Sequence, residues 1–327
     1  MKIVMIGCSG HSFAFCIPQK YDPRLEYVAV APGSKDESIE LTVNLLHERG
    51  YNPHIYEDYH EMLSKEKPDL AIVDNYYAEH APVIMDAFAA GCHVMSDKPA
   101  ARNLQQLDEL YNAWKASGKH FAEMFNLRYD GAFFRAYRLI QEGAIGEVRL
   151  LNAQKSYKLG QRPAFMHTME TYCGTIPWVG IHGVDWILWM SGKKVVSASA
   201  LQCASQAENG VCPQTTALVQ YELEDGVMAS LTVDYLRPAA APVHGDDRIR
   251  VVGTTGVLEV RDSAVTLINE NGLQYPENLY EGDLFEDFLL QIEGKGTCRV
   301  SAEEAFAASR AALCAQQAAD ENRRIVL

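Results

Sequence analysis

The sequence predicts an α/β protein, with an N-terminal Rossmann parallel sheet and a C-terminal α+β domain carrying a large, mostly antiparallel open sheet. Three observations predict it. Short apolar runs alternate with helical patterns up to about residue 123, as β-α-β units require. A glycine turn, Gly7-Cys8-Ser9-Gly10-His11-Ser12, follows the first run directly. Beyond residue 123 longer runs alternate apolar and polar residues, the period of strands with one buried face. At 327 residues the chain exceeds what one core usually organises, and the expected domains are 1–123 and 124–327.

Each element follows in order. Residues 3–6 and 27–31 are the first two strands, with one helix between them closed by Pro18 and Pro23. Residues 38–49 read as a helix, with Ile39, Val43, Leu45 and Leu46 on one broad face. Residues 70–73 form an apolar strand after the breaker Lys67-Pro68-Asp69, and 81–90 a helix ending at Gly91, an expected C-cap. A strand at 93–95 and a helix at 104–117 complete the first domain. The second opens with a helix at 130–142, stopped by Gly143. Strands follow at 148–157, 195–203, 215–223, 227–235, 248–252 and 257–260, with hairpin turns at Asp225-Gly226 and Asn271-Gly272. Helices at 281–293 and 302–321 close the chain.

Charge and composition exclude several partners. The formal net charge is -14 and no basic stripe interrupts it, so no nucleic acid is expected as a partner. An anionic small molecule stays open, because a local pocket can oppose the global sign. No apolar run approaches the ~20 residues a membrane helix needs, and the N-terminal run is too short for a signal peptide. No membrane association is expected, and a cytoplasmic location is. The eight cysteines, Cys8, Cys16, Cys92, Cys173, Cys203, Cys212, Cys298 and Cys314, form no C-x-x-C and no zinc-ligand spacing. They read as apolar fillers in a reducing compartment, with no metal site; Cys8 and Cys173 lie where a reactive thiol would matter.

The glycine turn has the form a dinucleotide needs: a tight bend that presents backbone N–H groups to a pyrophosphate. Against G-x-G-x-x-G, Gly7 fits, Ser9 and Ser12 stand at the second and third glycine positions, and Gly10 lies between. Gly7, Ser9, Gly10, His11 and Ser12 are therefore candidate cofactor residues. The second strand ends Ala31-Pro32-Gly33-Ser34-Lys35, with no acid at the place that grips ribose hydroxyls in NAD-binding proteins. Gly33, Ser34 and Lys35 are further candidate cofactor residues, and Ser34 and Lys35 can instead hold a 2′-phosphate, although Asp36 and Glu37 oppose one. The expected cofactor is NAD or NADP, with a slight lean to NADP.

Two further segments join the glycine loop. One is Gly91-Cys92-His93-Val94-Met95-Ser96-Asp97-Lys98-Pro99, preceded by His80 at the start of a helix. The other is Trp178-Val179-Gly180-Ile181-His182-Gly183-Val184-Asp185. Together they resemble the glucose–fructose oxidoreductase/inositol dehydrogenase (Gfo/Idh/MocA) family, whose motifs read Glu-Lys-Pro and Asp-x-Gly-x-His-x-x-Asp. Gly143-Ala144-Ile145-Gly146-Glu147-Val148 resembles the family's G-x-I-G-x-V approach to the second sheet, and residues 252–260 its late hairpin. The likeness runs through nearly the whole chain in the right order. It implies a dinucleotide-binding first domain and a second that binds substrate and oligomerises through its open sheet, giving a homodimer or homotetramer. It also implies hydride exchange between nicotinamide and a secondary hydroxyl of a sugar, polyol or related carbohydrate. Lys98 matches the family's active-site lysine, His182 its active-site histidine, and Pro99 a proline whose preceding bond is often cis. Asp97 replaces the usual glutamate. Trp178 stands where the family has an aspartate of the proton relay, so either the proton leaves by another route or the aromatic face packs on a sugar ring.

Removing hydride from a carbinol carbon is easier as its hydroxyl proton leaves, so a base must stand within hydrogen-bond reach of that oxygen. His182 is the expected base, and Lys98 the stabiliser of developing oxyanion charge or an alternate base. Asn75, Tyr76 and His80, in and after the loop beginning at Asp74, are expected to line or brace the cofactor, together with Asp97. Lys155, Arg162, Tyr172, Trp178 and Asp185 are candidate substrate-binding residues. Lys155, Tyr157, Lys158 and Arg162 form a polar cluster that is either a solvated strand edge or a site for substrate hydroxyls or a carboxylate. Glu170 or Tyr172 can supply the missing proton acceptor, and the loop bearing Arg237, His244 and Asp246 can cover the site. Two other functions compete: glycoside cleavage with tightly held NAD and no net redox change, and a non-catalytic nucleotide sensor.

Overall fold

The computed structural model describes residues 1–203 and 214–327. Cys212 lies outside the described residues; the other seven cysteines lie among them. The elements are β1 (Lys2–Ile6), α1 (Ser12–Phe15), β2 (Glu26–Ala31), α2 (Glu40–Glu48), β3 (His54–Ile55), α3 (Tyr59–Glu66), β4 (Leu70–Val73), α4 (His80–Ala89), β5 (His93–Ser96), α5 (Leu104–Ser117) and β6 (Phe121–Glu123). Then come α6 (Gly131–Gln141), β7 (Val148–Tyr157), α7 (Met169–Tyr172), α8 (Ile181–Ser191), β8 (Val195–Cys203), β9 (Thr216–Leu223), β10 (Met228–Asp234), β11 (Gly245–Gly253), β12 (Val257–Arg261), β13 (Ala264–Asn269), β14 (Gly272–Gln274), α9 (Leu284–Ile292), α10 (Ala302–Glu321) and β15 (Ile325–Val326).

These elements form two units, Met1–Met124 with Asp283–Phe306, and Phe125–Gly282 with Ala307–Leu327. The single division expected after residue 123 therefore needs one amendment, because the chain returns to the first unit at α9. That helix is capped by Asp283, whose carboxylate accepts from the Phe285 and Glu286 N–H groups, and it buries Leu284, Phe285, Phe288 and Leu289. An amphipathic pattern shows that a helix has a buried face, not which sheet receives it.

In the first unit the strands are parallel and ordered β3-β2-β1-β4-β5-β6. This order reverses direction at β1 and β4, where open α/β sheets bind ligands beyond their strand ends. Ile3 to Ile6 and Leu70 to Val73 are wholly buried, as central strands covered on both faces must be. Asn103 and Asp130 cap α5 and α6 through their side chains, and Gly118 ends α5 in the left-handed region. The helix expected between the first two strands is only the four residues of α1, stopped ahead of Pro18. The sequence reading lacks β3, α3 and β6; β3 is two exposed residues and β6 three buried ones, too short for periodicity to show.

The second unit carries a nine-stranded sheet ordered β14-β13-β12-β11-β7-β10-β9-β8-β15, antiparallel except where β10 runs parallel to β7. Along β9 and β10 buried residues alternate with more open ones, so one face is the core. Helix α8 packs on that face against β7 and β10. Small residues permit the approach: a Cβ on Gly183 would lie 2.5 Å from Leu231 Cδ1, and one on Gly180 3.0 Å from Val233 Cγ2. A helix at 176–191 is thereby pressed onto the sheet, with a π-helical opening at Ile176–Gly180.

Candidate active site

The first unit gathers the predicted cofactor residues at the carboxyl ends of β1, β2, β4 and β5. Gly7 bends at φ +85, and a Cβ there would lie 2.4 Å from the Asn75 backbone. Only glycine admits this approach of the loop to the segment after β4. Ser9 N–H donates to the Asp74 carbonyl at 2.7 Å. Gly33 has similar neighbours, since a Cβ there would lie 2.5 Å from that of Asn75. The loop is therefore shaped by backbone packing; with four residues, α1 adds little dipole.

Glu37 is the group that sequence reasoning misjudged. Its side chain turns inward after Asp36, which takes a left-handed φ of 59. One carboxylate oxygen accepts from Cys8 N–H at 3.0 Å and from the Ser9 hydroxyl; the other accepts from Gly33 N–H at 2.9 Å and Ser34 N–H at 3.1 Å. An acid does stand beyond β2, delivered by a turn rather than by the strand end. The 2′-phosphate cradle expected of Ser34 and Lys35 is not built. Ser34 Oγ accepts from Asn75 Nδ2 and Tyr76 N–H, each at 3.1 Å, while Lys35 is exposed. The only sign in the sequence was an acid six residues past the strand.

Beneath the loop lie two buried carboxyls. Asp74 Oδ2 accepts from the N–H and hydroxyl of Ser12. Asp97 Oδ2 lies 3.0 Å from His11 Nδ1, and its Oδ1 accepts from Lys98 N–H at 2.8 Å. A Cβ on Gly10 would lie 1.9 Å from Asp97 Oδ2 and 2.2 Å from Asp74 Oδ1, so Gly10 is required by the carboxyls behind it. Burial and then the Asp97 charge push Asp74 well above the usual carboxylate range, against the Ser12 hydrogen bonds. Burial acts on Asp97 in the same sense, but His11, Lys98 and His80 outweigh it and hold Asp97 below that range. The two carboxyls are thus pushed in opposite directions, Asp74 up and Asp97 down.

His80 is buried between two carbonyls, Nδ1 3.0 Å from Pro99 O and Nε2 2.9 Å from Asn75 O. Burial lowers its pKa, with Asp97 and the two carbonyls opposing. It ties the loop after β4 to the turn holding Lys98, whose bond to Pro99 is cis. Tyr76 reaches the Asp36 carbonyl at 3.4 Å. Lys98 is 3% exposed. Cys8 is half-buried, accepts from the Thr42 hydroxyl at 2.9 Å, and has its thiol pKa raised chiefly by burial, the reverse of activation.

In the second unit His182 sits in the first turn of α8, buried, with its ring edge-on to Phe125 at 6.1 Å. One turn later Trp186 lies 5.0 Å beneath the Lys155 ammonium, which also lies 4.6 Å over Tyr157 and donates to Asp247 at 2.7 Å. Lys155 is fully buried on the inner face of a central strand, which corrects the solvated-edge reading. Burial lowers its pKa, against Asp247. Asp185 is likewise corrected from substrate binding. Arg128, unread in the sequence, donates to it through Nε at 3.0 and 3.1 Å and Nη2 at 2.6 Å, with both side chains 1% exposed. Trp178 is buried and edge-on to Phe165 at 6.4 Å. Tyr172 Oη lies 3.1 Å from Thr175 Oγ1 and 3.2 Å from Tyr235 Oη, while Glu170 is exposed. Arg162 covers the Tyr235 ring at 4.6 Å.

Comparison with known proteins agrees with this architecture. Residues 1–125 match the family model described as "Oxidoreductase family, NAD-binding Rossmann fold", and residues 133–259 the "GFO/IDH/MocA C-terminal domain". The chain belongs to the Gfo/Idh/MocA oxidoreductase family. A solved member, a putative oxidoreductase from Thermotoga maritima, is 38% identical with a TM-score of 0.96, and the match covers 100% of both chains. Among curated Gfo/Idh/MocA relatives, the uncharacterized oxidoreductase YrbE of Bacillus subtilis is 28% identical over 66% of this chain and 62% of its own length. The myo-inositol 2-dehydrogenase of Thermotoga maritima is 23% identical over 83% of this chain and 84% of its own. The oxidoreductase fold and the Rossmann dinucleotide unit are therefore established for this Gfo/Idh/MocA member. No helix among its described residues is long and apolar enough to cross a membrane.

Proposed function

We propose that this family member oxidises a secondary hydroxyl of a carbohydrate, or reduces the matching ketone, with NAD in preference to NADP. The observation that carries the cofactor choice is the buried Glu37 carboxylate between the glycine loop and the end of β2. A carboxylate there repels a 2′-phosphate, and its four hydrogen bonds hold the backbone of the glycine loop and of the turn after β2 in place. The residues fit a dinucleotide in other respects, since Gly7 and Gly33 leave no room for a side chain. A nicotinamide held there would supply the hydride chemistry.

The chain's own groups manage the proton. His182 takes it from the substrate hydroxyl, and Lys98 stabilises the negative charge that develops on that oxygen. His80 and Asp97 position Lys98, through the Pro99 carbonyl and the Lys98 N–H. Myo-inositol 2-dehydrogenase among the relatives supports a polyol-like substrate. Self-association is part of the proposal. Leu150, Leu201, Leu218, Met228 and Ile268 are exposed, and their pairing register puts them on one face of the second sheet, an apolar patch suited to a homodimer or homotetramer.

The test is NADH formation from NAD with a panel of sugars, polyols and sugar acids. The proposal expects turnover with at least one of them, and loss of a hundredfold or more in kcat for Lys98→Met and His182→Ala. Product release from a glycoside without NADH would instead support redox-neutral cleavage.

A further inference from the structure

A set of basic side chains at the end of β7 has no acidic counterpart. Beyond Tyr157 the strand continues through one bridge, Lys158 to Leu236, and Lys158 N–H donates to the His244 carbonyl at 3.1 Å. Arg162 folds back onto this corner, with Nη2 3.0 Å from the Lys158 carbonyl and its guanidinium carbon 4.6 Å from the centre of the Tyr235 ring. The His244 ring lies 5.0 Å from that of Tyr157. The Lys158 ammonium donates to the Ala241 carbonyl.

Among the described residues, Lys158, Arg162 and His244 pair with no Asp or Glu. The nearby acids are committed elsewhere. Arg248 takes Asp246 in two hydrogen bonds of 2.6 Å, and Arg237 adds a third contact at 3.3 Å. Asp247 Oδ2 holds Lys155. Arg162 Nε is buried without a hydrogen-bond partner, and so is Asp247 Oδ1. Burial and then Arg162, Lys158 and Lys155 push the His244 imidazole below its ordinary range, with Asp247 opposing; the local field is positive in a chain of net charge -14. Lys155 links this corner to Trp186, one turn from His182.

We propose that Lys158, Arg162 and His244 receive the anionic group of the substrate, so that the carbohydrate this enzyme takes is a sugar acid rather than a neutral sugar. A guanidinium held over an aromatic ring and by a backbone carbonyl presents its remaining N–H groups to a carboxylate. Asp247 Oδ1 supplies an acceptor for a neighbouring hydroxyl, which a carboxylate-bearing sugar also carries. The inference rests on the carbohydrate oxidoreductase reading above.

Matched pairs test it: D-glucuronate against D-glucose, and D-galacturonate against D-galactose, by NADH formation and by calorimetric binding to the NADH-loaded protein. The acidic member of at least one pair is expected to bind and react better, roughly tenfold to a hundredfold, the scale of a charge-assisted contact. Arg162→Gln and Lys158→Gln each shrink that preference through KM more than kcat, and Arg162→Lys keeps part of it. Neutral members equal to or better than acidic ones in both assays overturn the inference while leaving the oxidoreductase reading intact, as does a preference untouched by both glutamine variants. A protein that binds no NADH fails the parent reading instead.

Discussion

Glu37 and Asp74 show how single carboxyls set the properties of the cofactor loop. Four donors converge on Glu37, so Glu37→Ala removes both the clamp that shapes the cofactor loop and the charge that repels a 2′-phosphate. The expected result is roughly tenfold or more weaker NADH binding and a narrowed gap to NADPH, read by nicotinamide fluorescence; an unchanged ratio refutes the role. Asp74 behaves oppositely to a salt-bridged acid. Its folded pKa lies above the unfolded value of about 3.9 because of burial and Asp97. Native protein thus binds more protons than unfolded, and stability falls as pH rises from about 4 through the raised value. Asp74→Asn removes that cost, so the variant gains on wild type as pH rises above about 4 in urea unfolding; a difference independent of pH contradicts the assignment. Gly7 and Ser9 were legible as loop residues because a turn after a first strand is a local pattern. Glu37 was not, because its role depends on a turn that carries it back over a loop nearly thirty residues earlier.

At the scale of elements, α8 shows what a motif conceals. The spacing of Trp178, His182 and Asp185 was legible, but the partners of these residues come from elsewhere in the chain. Arg128 reaches Asp185 from the segment ahead of α6, and the sheet meets the helix at Gly180 and Gly183. Asp185→Ala leaves a buried guanidinium without its carboxylate, a loss of about 3–5 kcal/mol. Chemical denaturation is expected to show it. A variant as stable as wild type with only a raised KM returns Asp185 to substrate binding. Six of the nine strands of the second sheet were legible from alternation, since one face is core and the other open; β13 and the short β14 and β15 were not. The parallel β7–β10 pairing was not, because alternation is blind to strand direction.

At the scale of the whole molecule, the class followed from order: β-α-β units, then alternating strands, then helices. The return of α9 to the first unit was hidden because the pattern along one helix does not name its neighbours. The exposed apolar face of the second sheet predicts self-association. Sedimentation velocity is expected to give a dimer or tetramer that Leu218→Lys with Met228→Lys dissociates; a wild-type monomer at micromolar concentration rejects it. The central claim, an NAD-dependent oxidoreductase, is tested most directly by titrating the purified protein with NADH and with NADPH while following nicotinamide fluorescence, after acid release of any retained cofactor. Saturable NADH binding, tighter than NADPH by tenfold or more, is the predicted result. Binding of neither nucleotide, by a protein shown to retain none, contradicts the account.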